Sequence, residues 1–190
     1  MKTSTLHIKN MVCDRCIMTV KQTLEKLNIP YSEVVLGKAV VNTGIDKIDT
    51  ELLDRELKAV GFELIKDKKL QLVEKVKNII VDYIHYSDNV ELKTNLSDFL
   101  SEELNNDYSY ISATFSKVEG ITIEKYLILQ KIEKVKELIS YDNLNFSEIA
   151  FRLNYSSIAH LSGQFKQVTG LTLTQYKNLA DKKRKSLDKV

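Results

Sequence analysis

Phe115-Ser116-Lys117-Val118-Glu119-Gly120-Ile121-Thr122-Ile123 recurs fifty positions later as Phe165-Lys166-Gln167-Val168-Thr169-Gly170-Leu171-Thr172-Leu173, and Tyr126 and Tyr176 follow at the same offset. Upstream, Leu100-Ser101 and Leu104-Asn105 match Ile149-Ala150 and Leu153-Asn154 with a one-residue slip. The chain therefore holds one unit twice, which is too few copies for a solenoid. Each copy reads as helix, short polar turn, helix. In the first, a helix over 96–104 leads through Asn105-Asn106-Asp107 to a helix over 108–117. In the second, a helix over 146–153 leads through Asn154-Tyr155-Ser156-Ser157 to a helix over 158–167. Asn105 and Asn154 suit turns because Asn tolerates left-handed backbone angles. Asp107 and Ser156 or Ser157 are natural caps for the second helices, and Gly120 and Gly170 stand where those helices should stop. A long helix over 124–140 joins the copies, and another over 70–86 precedes them.

The opening residues read differently. Leu6 and Ile8 alternate with polar neighbours, which predicts a strand over 5–9. Ile17, Val20, Leu24 and Leu27 predict a helix over 14–27, and Pro30 ends it. Strands over 32–36 and 39–42 flank Gly37-Lys38, a hairpin turn. A helix over 50–60, capped by Asp49 or Thr50, closes at Gly61 before a last strand over 62–66. The order βαββαβ is the ferredoxin-like split-βαβ arrangement. The expected fold class is α+β. A ferredoxin-like domain over 1–67 precedes an all-α domain over 68–180 with two helix-turn-helix units joined by a long helix. A basic tail over 181–190 follows, and Lys66-Asp67-Lys68-Lys69 is the expected linker.

Composition is that of an ordinary folded protein, at 43% hydrophobic and 28% charged residues, which argues against a disordered chain. No apolar run approaches the ~20 residues of a membrane helix, and the first residues lack the apolar core of a signal peptide. A cytoplasmic location is expected, with no membrane partner. Net charge is only +2, but it is unevenly distributed. From Asp82 to Asp107 the only Lys or Arg is Lys93. From Arg152 onward eight basic residues face only Asp181 and Asp188, as on a phosphate-binding surface.

Residues 70–180 resemble the DNA-binding domain of the AraC/XylS family of transcription regulators. The resemblance rests on Ser147-Glu148-Ile149-Ala150-Phe151-Arg152-Leu153-Asn154-Tyr155-Ser156-Ser157-Ile158-Ala159-His160-Leu161-Ser162 and Phe165-Lys166-Gln167-Val168-Thr169-Gly170-Leu171-Thr172. It implies two helix-turn-helix units, each offering its second helix to a major groove of double-stranded DNA. Ile111, Phe115, Leu161 and Phe165 should face the core. The base-reading positions then correspond to Ser109, Ser112 and Ala113 in the first copy and to Ala159, Ser162 and Gly163 in the second. Arg usually stands in the family where this chain has Ala113 and Gly163. Without Arg, Asn or Gln at these positions, base preference would come from Ser hydroxyls, water or DNA shape. Tyr110 and His160 are placed to touch phosphate or the groove wall, and Lys117, Arg152, Lys166 and Lys177 are candidate phosphate contacts.

Residues 1–67 resemble a heavy-metal-associated domain, through Met11-Val12-Cys13-Asp14-Arg15-Cys16 after a strand and Gly61-Phe62 before the last one. Asn10 stands where that family usually has Gly before the Met, and Asp14-Arg15 puts two charges between the cysteines. A helix start should lower the thiol pKa and favour thiolates. Two soft ligands suit Cu(I) or Zn(II). Linear Cu(I) needs no third ligand, whereas zinc would need His7, a small thiol or a second chain. A redox dithiol and a vestigial pair are the alternatives.

Tyr126, Tyr141, Phe151, Tyr155 and Tyr176 are expected in the core. His7, His85 and His160 are not spaced as a metal or catalytic cluster, and no catalytic order stands out, so an enzyme is not expected. The leading reading is a transcription regulator responsive to a thiophilic metal or to thiol oxidation, in which four thiolates could bridge a homodimer. The alternatives are a protein-interaction scaffold and a metallochaperone.

Overall fold

The computed structural model of the protein describes residues 2–86, 95–141 and 144–179, with Tyr141 described in its backbone alone. The expected basic tail, including Lys182-Lys183-Arg184-Lys185, and the side chain of Tyr141 lie outside the described residues. The chain is mixed α+β: a small antiparallel sheet near the N-terminus, then helices. It divides into two compact units, Met1–Asn78 and Ile79–Val190.

In the first unit, β1 (Ser4–Lys9), α1 (Asp14–Lys26), β2 (Tyr31–Val35), β3 (Lys38–Val41), α2 (Thr50–Ala59) and β4 (Glu63–Leu64) follow in order, with a short 3-10 turn at Ile45–Lys47 before α2. The sheet order is β2-β3-β1-β4, all pairs antiparallel. Leu6 and Ile8 point inward from β1 onto Val20 and Leu24 of α1 and Leu53 and Leu57 of α2, while Thr5 and His7 point outward. This is the period-2 strand meeting period-3.6 helices. Asp49 caps α2, its side chain accepting from Glu51 N and Leu52 N. β4 is shorter than the strand expected over 62–66. The Phe62 amide is spent closing α2 on Leu57 O at 2.9 Å, so ladder pairing begins only at Glu63. The first unit also takes in the start of α3 (Lys68–His85), where Gln71 Nε2 donates to Ile65 O and the Glu74 carboxylate accepts from Asn10 N.

The second unit begins in α3, where Ile80, Val81 and Ile84 are buried. α4 (Leu96–Leu104) and α5 (Tyr108–Glu119) form one helix pair, and α7 (Phe146–Arg152) and α8 (Ile158–Thr169) another. α6 (Ile123–Tyr141) touches both α5 and α8. α9 (Leu173–Asn178), unforeseen in the sequence, packs on α8. α6 buries polar groups, each paired. Lys136 Nζ meets Glu133 Oε1 at 2.6 Å, and Gln130 bridges His85 Nε2 (3.1 Å) and the Tyr126 hydroxyl (3.0 Å). Paired burial of this kind avoids the several kcal/mol that an isolated charge would cost.

Two consequences can be measured. Phe165 is fully buried, so Phe165→Ala should destabilise the second unit by about 3–5 kcal/mol in urea unfolding. A loss below about 1 kcal/mol would contradict this placement. On β1, burial first, then the charges of Lys75 and Lys38, hold the His7 imidazole below its ordinary 6.5. The unfolded chain therefore takes up this proton first. The stability His7 contributes is complete above 6.5 and is lost as pH falls through that value toward the lowered folded pKa. Between about pH 7 and pH 5.5 the wild-type urea midpoint should fall further than that of His7→Gln; equal slopes would contradict the assignment.

Candidate nucleic-acid interface and thiol pair

Each helix pair turns on one left-handed Asn. Asn105 follows α4 with φ 49, and Asn154 lies between α7 and α8 with φ 54. Gly120 and Gly170 end α5 and α8 at φ 71 and 77, left-handed angles that cost a residue with a Cβ more than Gly. The caps differ. Ser157 Oγ accepts from His160 N at 3.1 Å, whereas Asp107, in the same position before α5, makes no side-chain cap bond. Ser156 is not the cap; its hydroxyl meets His160 Nδ1 at 3.1 Å.

Ile111 and Phe115 of α5, and Leu161 and Phe165 of α8, are fully buried. The opposite faces follow from helical spacing. Ser109, Tyr110, Ala113 and Lys117 are exposed on α5, with Ser112 half-buried; Ala159, His160, Gly163 and Lys166 are exposed on α8, with Ser162 half-buried. Arg152 ends α7 and is exposed, as is Lys177 on α9, whose Nζ lies 5.8 Å from the Phe146 ring centre. Each of the expected recognition positions therefore lies on a solvent-facing surface of its own helix. A Cβ built at Gly163 meets no atom within 4 Å, so the small residues Ala159 and Gly163 leave backbone open to close approach.

Two aromatic contacts hold the second helices. Phe115 meets Tyr126 edge-on with ring centres 5.6 Å apart, and Phe165 meets Tyr176 at 5.5 Å. Spacing did not reveal the network around His160. Tyr155 lies edge-on to the imidazole at 5.3 Å, and its hydroxyl donates to Gln164 Oε1 at 2.7 Å. Burial pushes the Tyr155 phenol up and holds Lys131, 5.1 Å over its ring, below the usual lysine range. On the first pair the Tyr108 hydroxyl donates to Glu124 Oε1 at 2.6 Å; burial first, then that carboxylate, push Tyr108 up to about 12. The signal for the His160 network was Ser156 four residues before it. Phe151 corrects the expectation of a core aromatic: it is 87% exposed. Ile149, Ala150 and Leu153 take the inward face of α7 and turn residue 151 outward.

In the first unit Cys13 is the N-cap residue of α1, and its sulfur lies 3.4 Å from that of Cys16. Both thiols are free and half-buried. The Val12 amide donates to Cys16 Sγ at 3.5 Å. Burial nonetheless pushes the Cys16 thiol up, outweighing that amide, so the thiolate expected from a helix start is not favoured at Cys16. Asn10 takes φ 70, which explains the Gly usual at this place in the resembled family. Among the described residues no three His, Cys, Asp or Glu side chains gather as a metal cage, so His7 does not join the cysteines.

One family comparison falls within the second unit. Residues 100–179 match the model of a helix-turn-helix domain family. No curated protein matches the chain. Among solved structures the chain is similar to the C-terminal domain of AraT, a response regulator from Geobacillus stearothermophilus, at 25% identity over 58% of this chain and 87% of that one, with a TM-score of 0.49. It is similar to the C-terminal domain of the two-component response regulator yesN from Fusobacterium nucleatum at 30% identity, over 55% and 96%, with a TM-score of 0.47. A DNA-binding transcriptional dual regulator from Escherichia coli K-12 matches at 18% identity, over 56% and 88%, also at 0.47. No helix among the described residues is long and apolar enough to cross a membrane.

Removing the cap tests the local geometry. Ser157→Ala should cost about 1 kcal/mol of stability and raise amide exchange at His160. Unchanged exchange there would contradict the capping role.

Proposed function

Because residues 100–179 match a helix-turn-helix domain family, we propose that the protein is a sequence-specific, double-stranded-DNA-binding transcription regulator of AraC type whose first unit answers to a thiophilic metal. The observation that carries the first half is the solvent-facing strip of α8, with Ala159, His160, Ser162 and Gly163 presented by a helix whose other face is fixed in the core. Ser109, Tyr110, Ser112 and Ala113 hold the equivalent positions on α5. Arg152 and Lys166 are the proposed phosphate contacts. Ser hydroxyls, one imidazole and open backbone suit readout by groove shape and water more than bidentate base pairing.

The first unit is read as a ferredoxin-like domain of heavy-metal-associated type, a reading supported by the βαββαβ order and the sheet order β2-β3-β1-β4. The two sulfurs of Cys13 and Cys16 converge, which suits a two-coordinate soft ion such as Cu(I). Zn(II) would need two more ligands, available if a second copy brought its own pair and closed a homodimer. A metal that favours pairing of copies raises the effective concentration of DNA-binding units, which is how occupancy would follow metal.

The small, uncharged recognition positions and the acidic first copy favour a second reading, a protein-interaction scaffold. Titration of labelled duplex separates the two. Regulator binding should weaken steeply with salt, in a linear relation of log affinity to log salt; a flat response favours the scaffold. For the metal, native mass spectrometry should find Cu(I) on the wild type and none on Cys13→Ser/Cys16→Ser, and only the wild type should change DNA affinity with Cu(I). Equal behaviour of the two proteins with Cu(I) and with Zn(II) would refute metal sensing.

A further inference from the structure

The two helix pairs share one geometry but not one charge. With each residue of the first copy set against its counterpart in the second, Asp98 faces Ser147, Glu102 faces Phe151 and Glu103 faces Arg152. In the second helices Asp107 faces Ser157, Ser116 faces Lys166 and Glu119 faces Thr169. Each of these exchanges makes the second copy more positive. Phe99 against Glu148 and Lys117 against Gln167 run the other way. Residues 96–120 thus hold five carboxylates and one lysine, while residues 146–170 hold one carboxylate and two cations.

The difference falls where a duplex would be met. Glu102, Glu103 and Asp107 are exposed on the first copy, as Arg152, Ser157 and Lys166 are on the second. The start of a helix carries partial positive charge from unsatisfied amides and attracts phosphate. Asp107 places a carboxylate there on α5 without binding those amides through its side chain, whereas α8 has the neutral Ser157. Duplex DNA presents one phosphate charge per ~1.7 Å of its axis, and like charges brought within a screening length of ~8 Å repel. One copy is matched to that surface and the other opposed to it.

We propose, on the DNA-binding reading above, that the duplex is engaged through the second copy alone, α7 and α8, and that the first copy stays off the phosphate backbone. The two copies are then one reader and one non-reader rather than two half-site readers.

Hydroxyl-radical footprinting of the full chain tests this, on a duplex recovered by the protein from a pool of random-sequence DNA. The expected result is one protected stretch of about half a helical turn. Two stretches about one turn, ~10 base pairs, apart would overturn the inference and leave the DNA-binding reading intact. No protection at any salt concentration would overturn the DNA-binding reading and the inference with it. The electrostatic cause is tested by copying the second copy's charges into the first. Glu103→Arg/Ser116→Lys should add a second protected stretch and steepen the salt dependence by about two units of slope. Lys166→Ala should make it shallower by about one. A Glu103→Arg/Ser116→Lys footprint identical to the wild type would contradict the charge argument.

Discussion

Edge-on contact between a buried Phe and a buried Tyr, made once in each copy, is the interaction on which the second unit depends. Phe115 reaches forward to Tyr126 on α6, and Phe165 to Tyr176 on α9. Such pairs add ~0.5–1.5 kcal/mol beyond the area they bury. Their larger effect is directional. A helix pinned at Phe115 or Phe165 cannot roll about its axis, so the residues opposite, Ala113 or Gly163 among them, must face solvent. The proposed site is therefore a by-product of the core: what the two Phe side chains bury decides what the two helices show.

That dependence explains why much of the second unit was legible in the sequence. The fifty-residue offset carries the Phe, the closing Gly and the Tyr together, so the repeat announces the pins along with the helices. Asn105 and Asn154 marked the turns for the same local reason, their tolerance of a left-handed backbone. α9 was missed although Thr172 and Gln175 form a full capping box, because six residues hold too few apolar positions to show a period. Phe151 was misplaced because residue type suggested burial, while helical phase turned it outward. The Ser156–His160 contact escaped notice because it joins a turn to a helix, where no periodic rule applies.

In the first unit the strand and helix order followed from alternation and helical spacing, yet the chemistry at Cys13 and Cys16 did not follow from position alone. A helix start favours a thiolate, and burial disfavours it; at Cys16 burial is the larger effect. Spacing could show that two sulfurs converge, but not how dry their surroundings are. The same division holds on α5 and α8. Their shape is set by the repeated core, and their charge by residues that the core leaves free to differ.

The central claim is that the surface of α8 opposite Leu161 and Phe165 meets the duplex. Backbone amide NMR of the full chain, with and without a binding duplex, tests it most directly. The account predicts shifts on binding concentrated at Ala159, His160, Ser162 and Gly163, with Leu171 and the β1 residues unmoved. Shifts that leave α8 untouched while the duplex is demonstrably bound would contradict it.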